Sequence, residues 1–239
     1  MKKICVLLMF FAGLHGLTTG NLIDPFLINK GIFFSDEYPI NFRTGIEGFW
    51  VYNARLNGPF KKIQMAGCLF QETFNIKERA DIYLKIGPSQ LQIHPFENEK
   101  QTTSYQPLYI GGFKVELMEI KDTFLGLDVQ YGYFKGSLNK NQFLNAKTDK
   151  DIKANYKDWQ ITGSIVQKIG FFYPYLSVAC ENIKLYLKNY PLHKRTYQSH
   201  YRYGPNLGIT FNEGSYFLVN LEARFYSLYG IFLESQVRF

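Results

Sequence analysis

The C-terminal end of the chain alternates between apolar and polar residues with a period of two. Apolar residues and one small polar residue share one side of an extended strand, and charged or amide residues share the other: Ile231, Leu233, Ser235, Val237 and Phe239 against Glu234, Gln236 and Arg238. This pattern suits a strand with one face against lipid and the other against water or a polar interior. A soluble protein that ended on such a strand would expose a long apolar edge to aggregation. The pattern therefore favours a membrane-spanning β-strand.

Read backward from this strand, the chain divides into ten candidate strands. They are predicted at 41–56, 60–74, 80–93, 106–120, 123–136, 156–168, 171–187, 203–211, 215–226 and 229–239. The long connections 94–105, 137–155 and 188–202 fall at one end of the strands, and the tight turns at 121–122, 169–170 and 212–214 fall at the other. This asymmetry is typical of single-chain bacterial barrels, which have an even strand number. The predicted fold is an all-β, transmembrane antiparallel β-barrel of about ten strands; eight or twelve stay open, because 26–34 is also apolar.

The same alternation assigns side chains to the inside or the outside of the barrel. The predicted lumen-lining residues are Arg43, Glu47, Asn53, Arg55, Lys114, Glu116, Asp128, Gln130, Gln160, Asn220, Glu222, Arg224, Gln236 and Arg238. Residues of opposite phase, such as Trp50 and Leu56, are expected to face outward. The alternation breaks near Gly87-Pro88 and around Cys180, where we expect β-bulges.

The N-terminus predicts export. Lys2 and Lys3 precede an apolar run from Ile4 to Leu14 that is too short to span a bilayer, and small residues follow. Residues 1–20 are therefore predicted to be a cleaved signal peptide, with cleavage after residue 16 as the alternative. Residues 21–40 would then form an N-terminal periplasmic segment or plug, and 41–239 the barrel.

Beyond residue 20 no run of about 18 apolar residues is present. An exported chain without such a run can cross a membrane only as a closed barrel, because every backbone polar group in lipid needs a partner. The expected location is the bacterial outer membrane. The expected partners are outer-membrane lipid, lipopolysaccharide and the barrel-assembly machinery, which we expect to recognise Val237 and Phe239 at the end of the last strand.

Composition agrees with this location. Aromatic residues make up 18% of the chain, with 18 Tyr and 22 Phe, which suits the aromatic girdles of a membrane barrel. The net charge is +7, or 7 − 2 = +5 without Lys2 and Lys3. No basic motif indicates nucleic-acid binding. Processing leaves Cys68 and Cys180, which form either a disulfide or two free thiols.

The segment from Gly20-Asn21 through Asp24-Pro25 to Gly31-Ile32 begins at the predicted processing site, and the segment from Arg43 to Arg55 lies in the first predicted strand. Tyr173-Pro174-Tyr175 lies at the start of a late strand, and the tail from Glu222 to Phe239 runs from the ninth predicted strand to the end of the tenth. In all four segments the residues and their spacing resemble the chlamydial major outer membrane porins, at that family's processed start, first strand, late strand and C-terminal end. The resemblance implies an outer-membrane barrel, and the family's trimers imply a homo-oligomer. The cysteine cluster expected after Ile32 is absent.

Strand number limits what such a barrel can pass. Ten strands about 4.8 Å apart and tilted about 40° give a backbone radius of roughly 10–11 Å, most of which inward side chains would fill. The expected function is passage of small solutes or ions through a narrow pore. The alternative is a non-conducting surface barrel that acts as an adhesin or as an envelope structural protein.

No catalytic, cofactor or metal site is predicted. The histidines His94, His193 and His200 and the acidic Asp149, Asp151 and Asp158 lie in or near predicted outer loops without the spacing of a triad or a metal site. The connection 188–202 is instead a candidate surface-binding loop for anionic glycans or lipopolysaccharide. Its basic residues are Lys188, His193, Lys194, Arg195 and Arg202, interleaved with tyrosines.

Overall fold

The structure is a computed structural model that describes residues 40–54, 56–57, 62–76, 80–94, 100–138, 152–189, 196–199, 203–213, 217–225 and 228–238. The predicted signal peptide, and the N-terminal segment as far as residue 39, lie outside the described residues. Among the described residues, no helix is long and apolar enough to cross a bilayer.

Ten long antiparallel strands close into a barrel. They are β1 (Ile40–Ala54), β2 (Lys62–Ile76), β3 (Ala80–His94), β5 (Gln106–Ile120), β6 (Thr123–Leu138), β7 (Ile152–Gln167), β8 (Phe172–Lys188), β10 (Tyr203–Glu213), β11 (Phe217–Arg224) and β12 (Leu228–Arg238). Each pairs with the next in chain order, and β1 pairs with β12 to close the ring. Two short strands, β4 (Gln101–Thr102) and β9 (Thr196–Gln198), lie in the long connections.

The strand register fixes the width of the barrel. Following paired residues once around the ring from Phe172 returns to β8 at Lys184, which is 184 − 172 = 12 residues away. Ten strands with this stagger tilt by about 40° and enclose a backbone radius of about 10 Å. The predicted all-β fold and strand count are confirmed.

Neither of the two predicted β-bulges is present in the described strands, and two others occur instead. The ladder between β2 and β3 is interrupted at Gly87 and Pro88 but resumes in the same register, and the pairs of β8 pass Cys180 without a shift. Proline lacks the N–H that a ladder bond needs, so Pro88 removes pairing without inserting a residue. The register instead shifts on β1 between Val51 and Asn53, and on β5 between Glu116 and Met118.

These two bulges reverse one predicted orientation and lower the burial of two predicted lumen residues. After the shift on β1, Ala54 and Leu56 are buried, so the prediction that Leu56 faces outward is wrong. Asn53 lies at the shift and is only half-buried, and Glu116 at the second shift is also only half-buried. Neither side chain is fully enclosed, although Asn53 Oδ1 is shielded from solvent. A bulge adds one residue to one strand, which breaks the period-two rule beyond it.

The outside of the barrel is apolar along all ten long strands. Each contributes at least one large exposed hydrophobic side chain, for example Phe42, Phe70, Leu84, Tyr109, Val129, Trp159, Leu176, Leu207, Leu221 and Ile231. Aromatic contacts cluster toward both edges of this surface. Phe42 lies 5.2 Å from Phe74 near the short turns, and Trp50 lies 6.0 Å from Tyr52 near the long connections, measured between ring centroids.

The two cysteines lie on opposite sides of the ring. Both are free and half-buried on the outer face, Cys68 on β2 and Cys180 on β8. These strands are five places apart in either direction around a ring of ten. A disulfide needs Cα atoms within about 7 Å, whereas opposite strands are separated by about 20 Å. The disulfide alternative within one chain is therefore wrong.

We predict that the folded, monomeric protein runs at the same position on a denaturing gel with and without reductant. Both thiols should also react with a membrane-permeant maleimide after unfolding in the absence of reductant. A faster-migrating oxidised monomer, or loss of two reactive thiols together, would contradict the placement of β2 and β8.

Candidate functional site

The barrel lumen is the candidate functional site, and its middle is lined by buried charged and amide side chains. We call these residues the polar layer. Two ion pairs in this layer each join a side chain of β1 to a side chain of β3. The guanidinium of Arg43 donates to Asp81 at 2.6 Å, and the Lys85 ammonium donates to Glu47. Asn75 also donates to Asp81 at 2.7 Å. Pairing of this kind offsets the cost of burying charge.

The side chain of Tyr83 on β3 extends the polar layer past β5 to β6. Its ring lies over Gly112 on β5, where an added Cβ would come within 2.1 Å of the ring. Because Gly112 has no side chain, the phenol reaches β6 and donates to Asp128 at 2.9 Å. The Nζ atoms of Lys85 and Lys114 lie 5.2 and 4.8 Å from the ring centroid, so two cations contact its faces.

Tyr175 repeats this arrangement on the other side of the barrel. Its ring lies over Gly208 on β10, where an added Cβ would also come within 2.1 Å. The phenol donates to Glu222 on β11 at 2.7 Å. Glu222 accepts a second bond from Arg224 Nε at 2.7 Å, and the guanidinium lies 4.1 Å from the Phe232 ring centroid.

Amide side chains link the two halves of the polar layer across the lumen. Gln130 donates to Gln160 at 3.0 Å, and Arg224 Nη1 donates to the same oxygen of Gln160 at 3.2 Å. Gln130 on β6 and Arg224 on β11 thus meet through one side chain of β7. At this level the network crosses the interior of the barrel from β6 to β11.

Most of the predicted lumen residues are buried in this layer. Buried are Arg43, Glu47, Lys114, Asp128, Gln130, Gln160, Asn220, Glu222, Arg224 and Gln236. Asn53 and Glu116 lie at the bulges described above. Arg55, the side chain of Arg238, and Phe239 lie outside the described residues, and Val237 is exposed on the outer face.

Several lumen residues were missed by the sequence analysis. Asp81, Tyr83 and Lys85 on β3, and Tyr175, Ser177 and Glu181 on β8, are all buried. They share an odd-numbered phase that continues through Pro88 and Cys180. Unbroken alternation through Pro88 and Cys180 is the signal that identifies them, and it is incompatible with the bulges predicted there.

Toward the long connections the interior becomes apolar. We call this region the apolar plug. Its buried side chains include Ile63, Leu91, Ile93, Leu108, Phe134, Leu138, Ile183, Leu185, Leu187 and Tyr197. They fill the barrel from β2, β3, β5, β6, β8 and β9. Close packing of such side chains excludes water from the interior.

The barrel also narrows at the apolar plug. Here Thr103 takes the place of β5 between β3 and β6. The backbone amide of Thr103 donates to the backbone carbonyl of Leu91 on β3 at 2.8 Å, and Thr103 forms a β-bridge with Leu138 on β6. β9 replaces β10 to β12 in the same way. It pairs with β8, and Ser199 beside it bridges to Leu56 at the end of β1. Among the described residues, eight chain segments form the ring at this level, and eight-stranded barrels have interiors filled by side chains.

Of the residues considered for catalysis, the two that the structure describes lie on opposite sides of the barrel wall. His94, at the end of β3, is on the outer face with Nε2 2.9 Å from Gln64 Oε1, whereas Asp158 is buried inside the barrel. Among the described residues, no cluster of three or more His, Cys, Asp or Glu side chains could hold a metal ion. His193, Lys194, Arg195, His200, Arg202, Asp149 and Asp151 lie outside the described residues, and Lys188 is exposed.

No protein family and no curated protein matches the sequence. Solved structures similar to this chain include the outer membrane protease OmpT from Escherichia coli, with 11% identity over 84% of this chain and 94% of that one and a TM-score of 0.39. The translocator domain of the autotransporter NalP from Neisseria meningitidis has 11% identity, coverages of 85% and 88%, and a TM-score of 0.43. The transport unit of the autotransporter AIDA-I from Escherichia coli has 13% identity, coverages of 91% and 96%, and a TM-score of 0.42. The barrel assignment itself rests on the strand pairing.

We predict that Gly112→Ala destabilises the barrel by about 1–3 kcal/mol, because the new methyl group would displace Tyr83 from Asp128. Unfolding in urea, followed by the heat-dependent shift in gel migration, measures the change. Gly111→Ala is the matched control, since Gly111 lies on the outer face with nothing within 4 Å of an added Cβ. Equal effects of the two substitutions would refute the role of Gly112.

Proposed function

We propose that this chain spans the outer membrane as a β-barrel of the chlamydial porin type. The continuous apolar exterior supports this proposal, because the exposed apolar patches of soluble monomers rarely exceed a few hundred Å². An aromatic pair near each edge, Phe42 with Phe74 and Trp50 with Tyr52, matches the girdles of membrane barrels. The long connections then face the extracellular side, and the short turns face the periplasm.

The barrel is closed to solutes in its folded state, and its function is a surface or structural role in the cell envelope. The observation that carries this proposal is the apolar plug. Leu91, Leu185, Leu187 and Tyr197 are each 0% exposed within a ring of eight segments. A solute that entered the polar layer from the periplasmic side would meet this plug before it reached the long connections.

Passage of small solutes through a narrow pore is the second candidate. The observation in its favour is the polar layer, which places Arg43, Lys85, Lys114 and Arg224 inside the barrel. For conduction, β9 would have to separate from β8 and carry Tyr197 out of the plug. β9 has only three residues, and the pairing that holds it to β8 is correspondingly small.

We predict that the purified protein in planar bilayers gives no steady conductance above that of the bare lipid at moderate voltage. A general porin prepared in the same way is the positive control. Flotation with lipid vesicles and the heat-dependent gel shift must first show that the protein is inserted and folded.

A steady conductance that persists in an inserted, folded sample would reject the closed barrel and support the second candidate. A variant that lacks residues 196–198 adds a further comparison. If β9 gates a pore, the deletion should convert a silent barrel into a conducting one.

A further inference from the structure

The outer face of β6, β7 and β8 carries a cluster of lysines beyond the apolar exterior. Nine outward positions form three rows across these strands. From the row nearest the apolar surface they are Tyr133, Lys157 and Lys184, then Lys135, Asn155 and Tyr186, then Ser137, Lys153 and Lys188. All five lysines are exposed. We call these nine positions the lysine patch.

The lysine patch places like charges directly opposite each other. Lys157 pairs with Lys184 across the strands, and Lys153 pairs with Lys188. Lys135 pairs with Asn155, and is therefore a diagonal neighbour of both Lys153 and Lys157. Like charges that face each other across a sheet are destabilising. An anion bound between these strands would remove that cost.

The lysines of the patch have few acidic neighbours to pair with. Among the described residues, none of the five lysines forms an ion pair with a carboxylate. The adjoining β9 presents Gln198 opposite Lys184 and Thr196 opposite Tyr186. In sequence, connection 139–151 holds three Lys and two Asp, or 3 − 2 = +1, and 190–195 holds Lys194 and Arg195 with no acidic residue.

The position of the patch identifies its anion. The next outward row toward the barrel middle is Tyr131, Trp159 and Asn182, and the row after it is Val129, Ile161 and Cys180. Basic side chains directly beyond an aromatic row lie at headgroup level when the apolar surface is in lipid. Lysine stems can follow the apolar surface while the ammonium groups reach a phosphate. The patch spans about 10 Å across the strands and about 13 Å along them, which is the scale of one headgroup.

We propose that the lysine patch binds the phosphorylated headgroup of a glycolipid in the outer leaflet, as in lipid A. Lys157 and Lys184 contact the phosphate nearest the bilayer, and Lys153 and Lys188 contact charge farther out. This inference rests on the proposed membrane location, but not on whether the lumen conducts.

The test compares binding of bisphosphorylated and dephosphorylated lipid A to the folded protein in nanodiscs of zwitterionic lipid, with bound lipid counted by native mass spectrometry. The wild-type protein should bind the phosphorylated form at least about tenfold more tightly, because each lysine near an anionic lipid surface adds to the binding free energy. The preference should weaken as salt rises.

The variant K153Q/K157Q/K184Q/K188Q should lose most of this preference. K121Q/K168Q is the control, because Lys121 and Lys168 lie at the short-turn end of the barrel, away from the patch. The quadruple variant should also melt no lower than the wild type without lipid A, since the opposing charges are gone. The pairs K157Q/K184Q and K153Q/K188Q give the same comparison if the quadruple variant does not fold.

Equal binding of both lipid A forms, or equal losses in the patch and control variants, would overturn the proposal. Heparin binding as strong as lipid A binding would assign the patch to a soluble polyanion and overturn the lipid. Failure of the wild-type protein to insert into any bilayer would overturn this inference together with the membrane location. Insertion without phosphate preference would overturn this inference alone.

Discussion

Backbone hydrogen bonding between β1 and β12 is the interaction on which the rest of the structure depends. Eleven residues of β1, from Arg43 to Ala54, pair with β12 and turn a ten-stranded sheet into a closed ring. In hydrocarbon an unpaired edge would leave a row of N–H and C=O groups without partners. Closure satisfies them, and it also creates the interior in which the polar layer and the apolar plug can pack.

Closure at this width leaves an interior that side chains must fill. Two solutions are present at two levels. In the middle, glycines at 112 and 208 let Tyr83 and Tyr175 lie across a neighbouring strand and reach acceptors beyond it. Toward the long connections, the ring consists, within the described part of the chain, of eight chain segments instead of ten. Apolar side chains such as leucine and isoleucine fill this narrower interior. The polar middle needs hydrogen bonds and ion pairs because its charges are out of reach of bulk water.

The fold was largely predictable from sequence, because period-two alternation and turn spacing are local signals. The ten strands and the burial of residues such as Arg43 and Arg224 follow from them. The bulges on β1 and β5 were not predictable, because no glycine or proline marks Val51 or Leu117. Gly87-Pro88 led to the prediction of a bulge that is absent, because a missing N–H interrupts a ladder without changing side-chain phase. That error hid Asp81, Tyr83 and Lys85.

The narrowing by β4 and β9 was equally hidden, because it depends on contacts between segments far apart in the chain. Ser199 meets Leu56, and Thr103 meets Leu138. Ser199 and Thr103 lie in connections for which the alternation predicts no strand. The lysine patch also emerges only from register, since Lys153 and Lys188 are distant in sequence and adjacent only when β7 and β8 pair.

Peptide-resolved hydrogen exchange of the folded protein in lipid tests the closed barrel most directly. The account predicts that amides of β1 and β12 are protected as strongly as those of β6 and β7 at the centre of the sheet. Rapid exchange of β1 and β12 while β6 and β7 stay protected would mean that the ring is open, and it would contradict the account.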